Sequence, residues 1–127
     1  MPSVLADSSV IIEFFRPGGN LNTRREVGLL LDMGRLAVCG IVVSELLQGV
    51  RPDEKEPLQH LLQEASYLEL TRQDFERAGE LGNQLRRKGH KVPITDALIA
   101  SLCLRMKIPL YTLDSHFSHI SGLVMHP

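Results

Sequence analysis

The chain has 127 residues, enough for one domain with its own core, and 1–127 is read as a single domain. With 43% hydrophobic and 23% charged residues it has the balance of a globular protein rather than a disordered or fibrous one. A net charge of −1 leaves no global footprint of nucleic-acid binding, and LAVCGIVV (36–43) falls far short of a membrane span.

The N-terminal segment MPSVLADSSVII carries no basic leader, and Asp7 interrupts its apolar run, so no secretory signal is expected and the chain is read as cytoplasmic. Cys39 and Cys103 are isolated in apolar segments, which predicts buried free thiols in a reducing compartment. Aromatic residues are few, so the core must be aliphatic.

Strand and helix alternate along the chain. VLAD (4–7) predicts a short buried strand, and SSVIIEFF after it a helix that PGG (17–19) ends. TRREVGLLLDMG (23–34) puts Val27, Leu30 and Leu31 on one helical face, with Thr23 as cap and Gly34 past the end. RLAVCG (35–40) is the second strand, running into helical VVSELLQGV, and PDEKEPLQHLLQEA supplies another helix. YLEL (67–70) makes a third strand. Phe75, Ala78, Leu81 and Leu85 then share one face of a helix for which Gly89 is a suitable stop. Pro93 suits the first turn of a helix running to about Lys107, and IPLYTL (108–113) and GLVM (122–125) complete the strands. Short strands separated by helices predict an α/β fold: a parallel sheet, right-handed crossovers and helices on both faces. In such folds the site lies beyond the carboxyl ends of the strands.

Acids gather there. Asp7 ends the first strand, Asp114 the fourth, Glu45 follows the second, and Asp96 stands in the first turn of an otherwise apolar helix. Each has a plain structural explanation alone: a helix cap for Asp7 and Asp114, a dipole partner for Asp96, a salt bridge for Glu45. Together they do not. Two like charges ~4 Å apart repel by about 4 kcal/mol at an effective dielectric near 20. A hard divalent cation relieves this, because Mg²⁺ and Mn²⁺ prefer carboxylate and water oxygens. His116 and His119 could join Asp114 around zinc, but no third nitrogen or sulfur ligand has matching spacing, so they are expected to cover the surface of a short helix.

VLADSSVIIEFF, GIVVSELLQGV and PITDALIASLCLRMKIPLYTLDSHF, in that order, resemble the PIN-domain family, and within it the VapC-type ribonuclease toxins. The resemblance implies a three-layer α/β/α sandwich around a central parallel sheet. It also implies that Asp7, Glu45, Asp96 and Asp114 form the metal-binding catalytic quartet, with Ser8 and Thr112 as hydroxyls beside the first and last acids. It implies Mg²⁺-dependent endoribonuclease activity, with Mn²⁺ able to substitute, leaving a 5′-phosphate and a 3′-hydroxyl. Its partners would be an RNA substrate and a VapB-type antitoxin that binds operator DNA, within a homodimer and a toxin–antitoxin hetero-oligomer, and no membrane. The segment SHFSHI departs from the family by lacking a further acid close behind Asp114.

Outside the acids, Arg86, Arg87, Lys88 and Lys91 in RRKGHK are candidates to grip RNA phosphates. Arg16, Arg24 and Arg25 are second candidates, and the apolar LLLDMG and PLQHLLQEA helices could form an antitoxin groove or a homodimer face. Two rival readings are a PIN-like binding module without catalysis and a phospho-accepting signalling domain. The second would need a Lys where TLDSHF has Asp114.

Overall fold

The computed structural model describes residues 2–127. The elements run β1 (Val4–Ala6), α1 (Ser8–Phe15), α2 (Leu21–Asp32), β2 (Leu36–Cys39) and α3 (Gly40–Gly49). A 3-10 turn (Pro52–Glu54), α4 (Lys55–Glu64), β3 (Ser66–Leu68), α5 (Arg72–Arg87) and α6 (Ile94–Met106) follow, then β4 (Leu110–Tyr111) and a 3-10 helix (Ser115–His119). The strands form one parallel sheet in the order β3-β2-β1-β4. Helices cover it in an α/β/α sandwich.

Burial explains the strand sequences. Every residue of β1, β2 and β4 is buried, as expected for strands covered on both faces, and each reads as an unbroken apolar run. β3 lies at the sheet edge and is largely exposed, with Ser66 and Tyr67 facing solvent. Helix α6 is buried continuously from Asp96 to Cys103, so it has no polar face and passes through the interior. Cys39 and Cys103 are buried free thiols; burial pushes both up, Cys103 to about 12, so they are inert.

Topology then selects a place for the site. From β1 the chain winds outward through β2 to β3, then returns to lay β4 on the other side of β1. The order reverses between β1 and β4, and in α/β sheets the ends of the strands at such a reversal are where ligands bind. Asp7 directly follows β1, and Thr112 to Asp114 directly follow β4.

Local departures from the expected elements have identifiable causes. Helix α2 starts three residues early because Asn20, not Thr23, is the cap; its side chain accepts from the Thr23 N–H at 3.1 Å. Thr23 is buried instead. GLVM does not make a full strand but one parallel bridge, Leu110 to Met125. On α5, Ala78 and Leu85 are buried as the spacing predicts, but Phe75 is 54% exposed while Asp74 is 0% exposed. The apolar face lost that position because an ion pair from α6 fills it: Arg105 grips Asp74 through two bonds of 2.8 and 2.9 Å.

Candidate functional site

Asp7 stands at the N-cap of α1 but its side chain caps nothing. Its Oδ2 instead accepts from Ser9 Oγ at 2.9 Å and from Thr112 Oγ1 at 2.8 Å. Among the described residues Oδ1 receives no hydrogen bond, although Asp7 is only 5% exposed. Both hydroxyl protons are thus committed to one oxygen, and the hydroxyls themselves become acceptors. Ser9 Oγ accepts from the Leu113 N–H at 3.0 Å, and Thr112 Oγ1 from the Asp114 N–H at 3.0 Å. Thr112 therefore sets the Asp7 carboxylate and the backbone of Asp114 together.

Glu45 enters from the first turns of α3, half-buried, and accepts from Ser8 Oγ at 3.3 Å. Burial raises its carboxyl above the usual range and the charges of Asp7 and Asp96 raise it further, against the lowering hydrogen bond from Ser8. Asp96, 8% exposed in the first turn of α6, is raised by burial and then by the charge of Asp7, with Asp114 adding to it and His116 opposing. The four acids, drawn from four distant segments, are therefore linked electrostatically through Asp96, which feels Asp7 and Asp114 and in turn acts on Glu45. No Lys or Arg pairs with any of them among the described residues.

Of the hydroxyls named from the sequence, Ser8 donates to Glu45 and not to Asp7, and Thr112 donates to Asp7 while accepting from the Asp114 N–H; Ser9, the second hydroxyl on Asp7, was not singled out from the sequence. Its signal was faint, since D-S-S offers two serines and helical phase decides which one points back. Asp114 also works as a helix cap, accepting from the His116 N–H at 2.9 Å through Oδ1.

The histidines are where the expectation changes most. His116 does not merely cover the surface: its Nδ1 lies 3.3 Å from Asp96 Oδ2 and 3.1 Å from Asp114 Oδ1. One ligand atom from each of Asp96, Asp114 and His116 lies within 4.8 Å of the others. The third partner is 20 residues from His116 along the chain, which is why local spacing could not find it. His119 turns the other way and stacks on His90, with ring centroids 3.8 Å apart and planes 14° from parallel.

The family model of the PIN domain matches residues 4–123. The chain belongs to the PIN-domain family. No curated protein matches it by sequence. Among solved structures it is similar to FitAcB from Neisseria gonorrhoeae, with TM-score 0.81 and 20% identity over 98% of this chain and 97% of that one. It is similar to VapBC2 from Rickettsia felis bound to a DNA fragment from their promoter, with TM-score 0.79 and 21% identity over 97% and 96% of the two chains. VapBC-5 from Mycobacterium tuberculosis, a member of the VapBC family of toxin–antitoxin systems, superposes with TM-score 0.64 and 20% identity over 98% and 100%. At such identities the likeness carries the fold.

Two concave surfaces of this PIN domain bear on substrate and partner binding, and one of them includes Glu45. Arg86, Arg87, Lys88 and Lys91 are exposed where α5 ends, just before the helix bearing Asp96. Arg86, His90 and Lys91 line a shallow groove there of about 370 Å³. A second cavity of about 290 Å³ lies between α1, α3 and α4, lined by Ile12, Phe15, Leu46 and Leu58, with Glu45 and Arg51 at its edges. It draws Leu58 from the PLQHLLQEA segment and nothing from LLLDMG, whose Leu29 and Met33 are 54% and 46% exposed. Arg16 pairs with Glu13 at 3.3 Å, and Arg24 donates to the Arg16 carbonyl, so neither is a free cation beside the acids. Among the described residues no helix is long and apolar enough to cross a membrane.

Proposed function

We propose that this PIN domain is the endoribonuclease toxin of a VapBC-type toxin–antitoxin module, and that it cleaves RNA phosphodiesters with Mg²⁺ or Mn²⁺. One observation carries the reading: the carboxyls of Glu45 and Asp96 are raised first by burial and then by the charge of neighbouring acids, with no Lys or Arg among the described residues supplied to them. The donor set fits a hard divalent ion, because it is rich in carboxylate oxygens and Asp7 keeps one oxygen without a donor.

In this reading Asp7 and Asp96 hold the ion directly, and Glu45 and Asp114 complete the site. When bound, the divalent ion supplies Lewis acidity toward a phosphate oxygen and acidifies a water. The chain's own work is orientation. Ser9 and Thr112 fix one Asp7 oxygen and leave the other without a donor; Ser8 holds Glu45; Thr112 and the 3-10 helix hold Asp114. Bare carboxylates repel a scissile phosphate, so substrate positioning falls to cations outside the cluster. Arg86, Arg87, Lys88 and Lys91 would take flanking phosphates along the groove at the end of α5.

The cavity beside Glu45 suits an antitoxin segment with apolar side chains on Ile12, Phe15, Leu46 and Leu58 and a guanidinium directed to the acids. Such an Arg competes for the same negative potential as the metal, which would silence the enzyme in the complex.

The test is direct. Protein purified free of antitoxin is expected to cut RNA when Mg²⁺ or Mn²⁺ is added and to stop with chelator. Cleavage that continues undiminished in excess chelator would overturn the metal reading.

A further inference from the structure

We infer that His116 selects the ion: Asp96, Asp114 and the Nδ1 of His116 form a mixed oxygen–nitrogen donor set that prefers a transition divalent such as Mn²⁺ over Mg²⁺. The inference rests on the metal-dependent reading above and specifies which ion the site prefers.

The geometry is the first argument. Nδ1 faces carboxylate oxygens of both acids, 3.3 Å from Asp96 and 3.1 Å from Asp114, and the three ligand atoms lie within 4.8 Å of one another. An ion entering between them needs only small adjustments to reach bonding distance. The second argument is preorganisation. Asp114 Oδ1 accepts the His116 N–H at 2.9 Å, and Phe117, next along the 3-10 helix, is 1% exposed and anchors that helix in the core. The imidazole is thus carried on a fixed segment although its own side chain is 53% exposed.

Ligand chemistry supplies the preference. Both ions take carboxylate and water oxygens, but Mg²⁺ demands near-ideal octahedral oxygen coordination and gains little from a nitrogen ligand, whereas Mn²⁺ gains from an added imidazole, as the later divalents do more strongly. Asp7 keeps Oδ1 without a donor and lies near enough to Asp96 to raise it, so carboxylate oxygens remain beside the mixed set. His116 would bias the Asp96–Asp114 part of the acidic site toward a softer ion.

A rival role for His116 is that of an internal counter-ion, pairing with two acids and giving way to any cation. The two roles predict opposite results when it is removed. A displaced counter-ion would let every divalent bind more tightly in His116→Ala. A lost ligand weakens Mn²⁺ selectively.

The experiment titrates full-length, antitoxin-free protein with Mn²⁺ alone and with Mg²⁺ alone by calorimetry, and records electron spin-echo modulation of bound Mn²⁺. Wild type is expected to show imidazole nitrogen coupling to Mn²⁺. His116→Ala should lose that coupling and at least about tenfold in Mn²⁺ affinity, while Mg²⁺ affinity changes little. His116→Asp, which puts an oxygen ligand in place of the imidazole, should lose the coupling and bind Mg²⁺ more tightly than wild type does. Circular dichroism checks that both variants fold. Absence of nitrogen coupling in wild type, or an equal change for both ions in His116→Ala, overturns the inference and leaves the nuclease reading standing. Failure of wild type to bind either ion would sink both.

Discussion

Helix α6 holds two carboxylate environments at its opposite ends, and they are opposites in kind. At its C-terminal end Arg105 meets the fully buried Asp74 with two hydrogen bonds and also donates to the Glu69 carbonyl at 3.2 Å. Thr71 and Asp74 complete a reciprocal capping box, so every demand of that carboxylate is met. Burial works to raise Asp74, but Arg105 and Thr71 more than offset it and hold the carboxyl below its ordinary range. At the N-terminal end Asp96 is also buried, yet it meets other acids and one histidine, and it is raised. A satisfied buried acid joins α5 to α6. Asp96, carried by the same helix, has no Lys or Arg among the described residues and meets His116 and other acids instead.

The contrast can be broken most strongly at the acidic end. Asp7→Asn or Asp96→Asn should lower the rate of metal-dependent RNA cleavage by about a thousandfold, the effect of several kcal/mol of transition-state stabilisation, while circular dichroism stays unchanged. Full activity in either variant would remove the metal assignment.

At the other end the largest effect should be on stability. Arg105→Ala leaves Asp74 buried without its cation and is expected to cost about 3 kcal/mol in urea unfolding, with divalent-ion affinity unaltered. The pH dependence sharpens this further. Because Asp74 is lowered in the fold, its stabilising contribution is present above the ordinary aspartate range of about 4 and is lost as pH falls through its folded value. Arg105→Ala should therefore flatten the acid limb of the stability curve.

Glu45 works in the other direction, since it is raised. The fold gains stability as Glu45 takes up a proton below its raised value and loses that gain as pH rises through it. Glu45→Gln is expected to stabilise the metal-free protein at neutral pH by about 1 kcal/mol, roughly 4 °C in melting temperature, and to impair cleavage. A destabilised Glu45→Gln protein would show that the site acids are not in conflict.

Much of the architecture was legible because it follows from patterns along the chain. Strand β2 is an apolar run because both sheet faces are covered, and Gly89, at φ 87°, stops α5 where the sequence suggested. What failed was short or non-local. GLVM has strand composition but lies beside a two-residue strand, and among the described residues it makes one bridge. Phe75 has the right spacing for burial, yet its helix turns so that Asp74 meets Arg105, a partner 31 residues away. The same limit applied to the site. Asp7, Glu45, Asp96 and Asp114 were visible as acids that apolar surroundings do not explain, while Ser9 and His116 look ordinary in the sequence.

By itself the sequence determined the alternation of strand and helix, the aliphatic core and the positions after each strand at which acids stand, because these depend on periodicity and on residue type. The tertiary structure alone decided which hydroxyl serves Asp7, that an imidazole joins Asp96 and Asp114, and which buried carboxylate receives an arginine. Those outcomes rest on distances between residues remote in the chain, and Coulomb and coordination energies depend on such distances and not on order along the polymer.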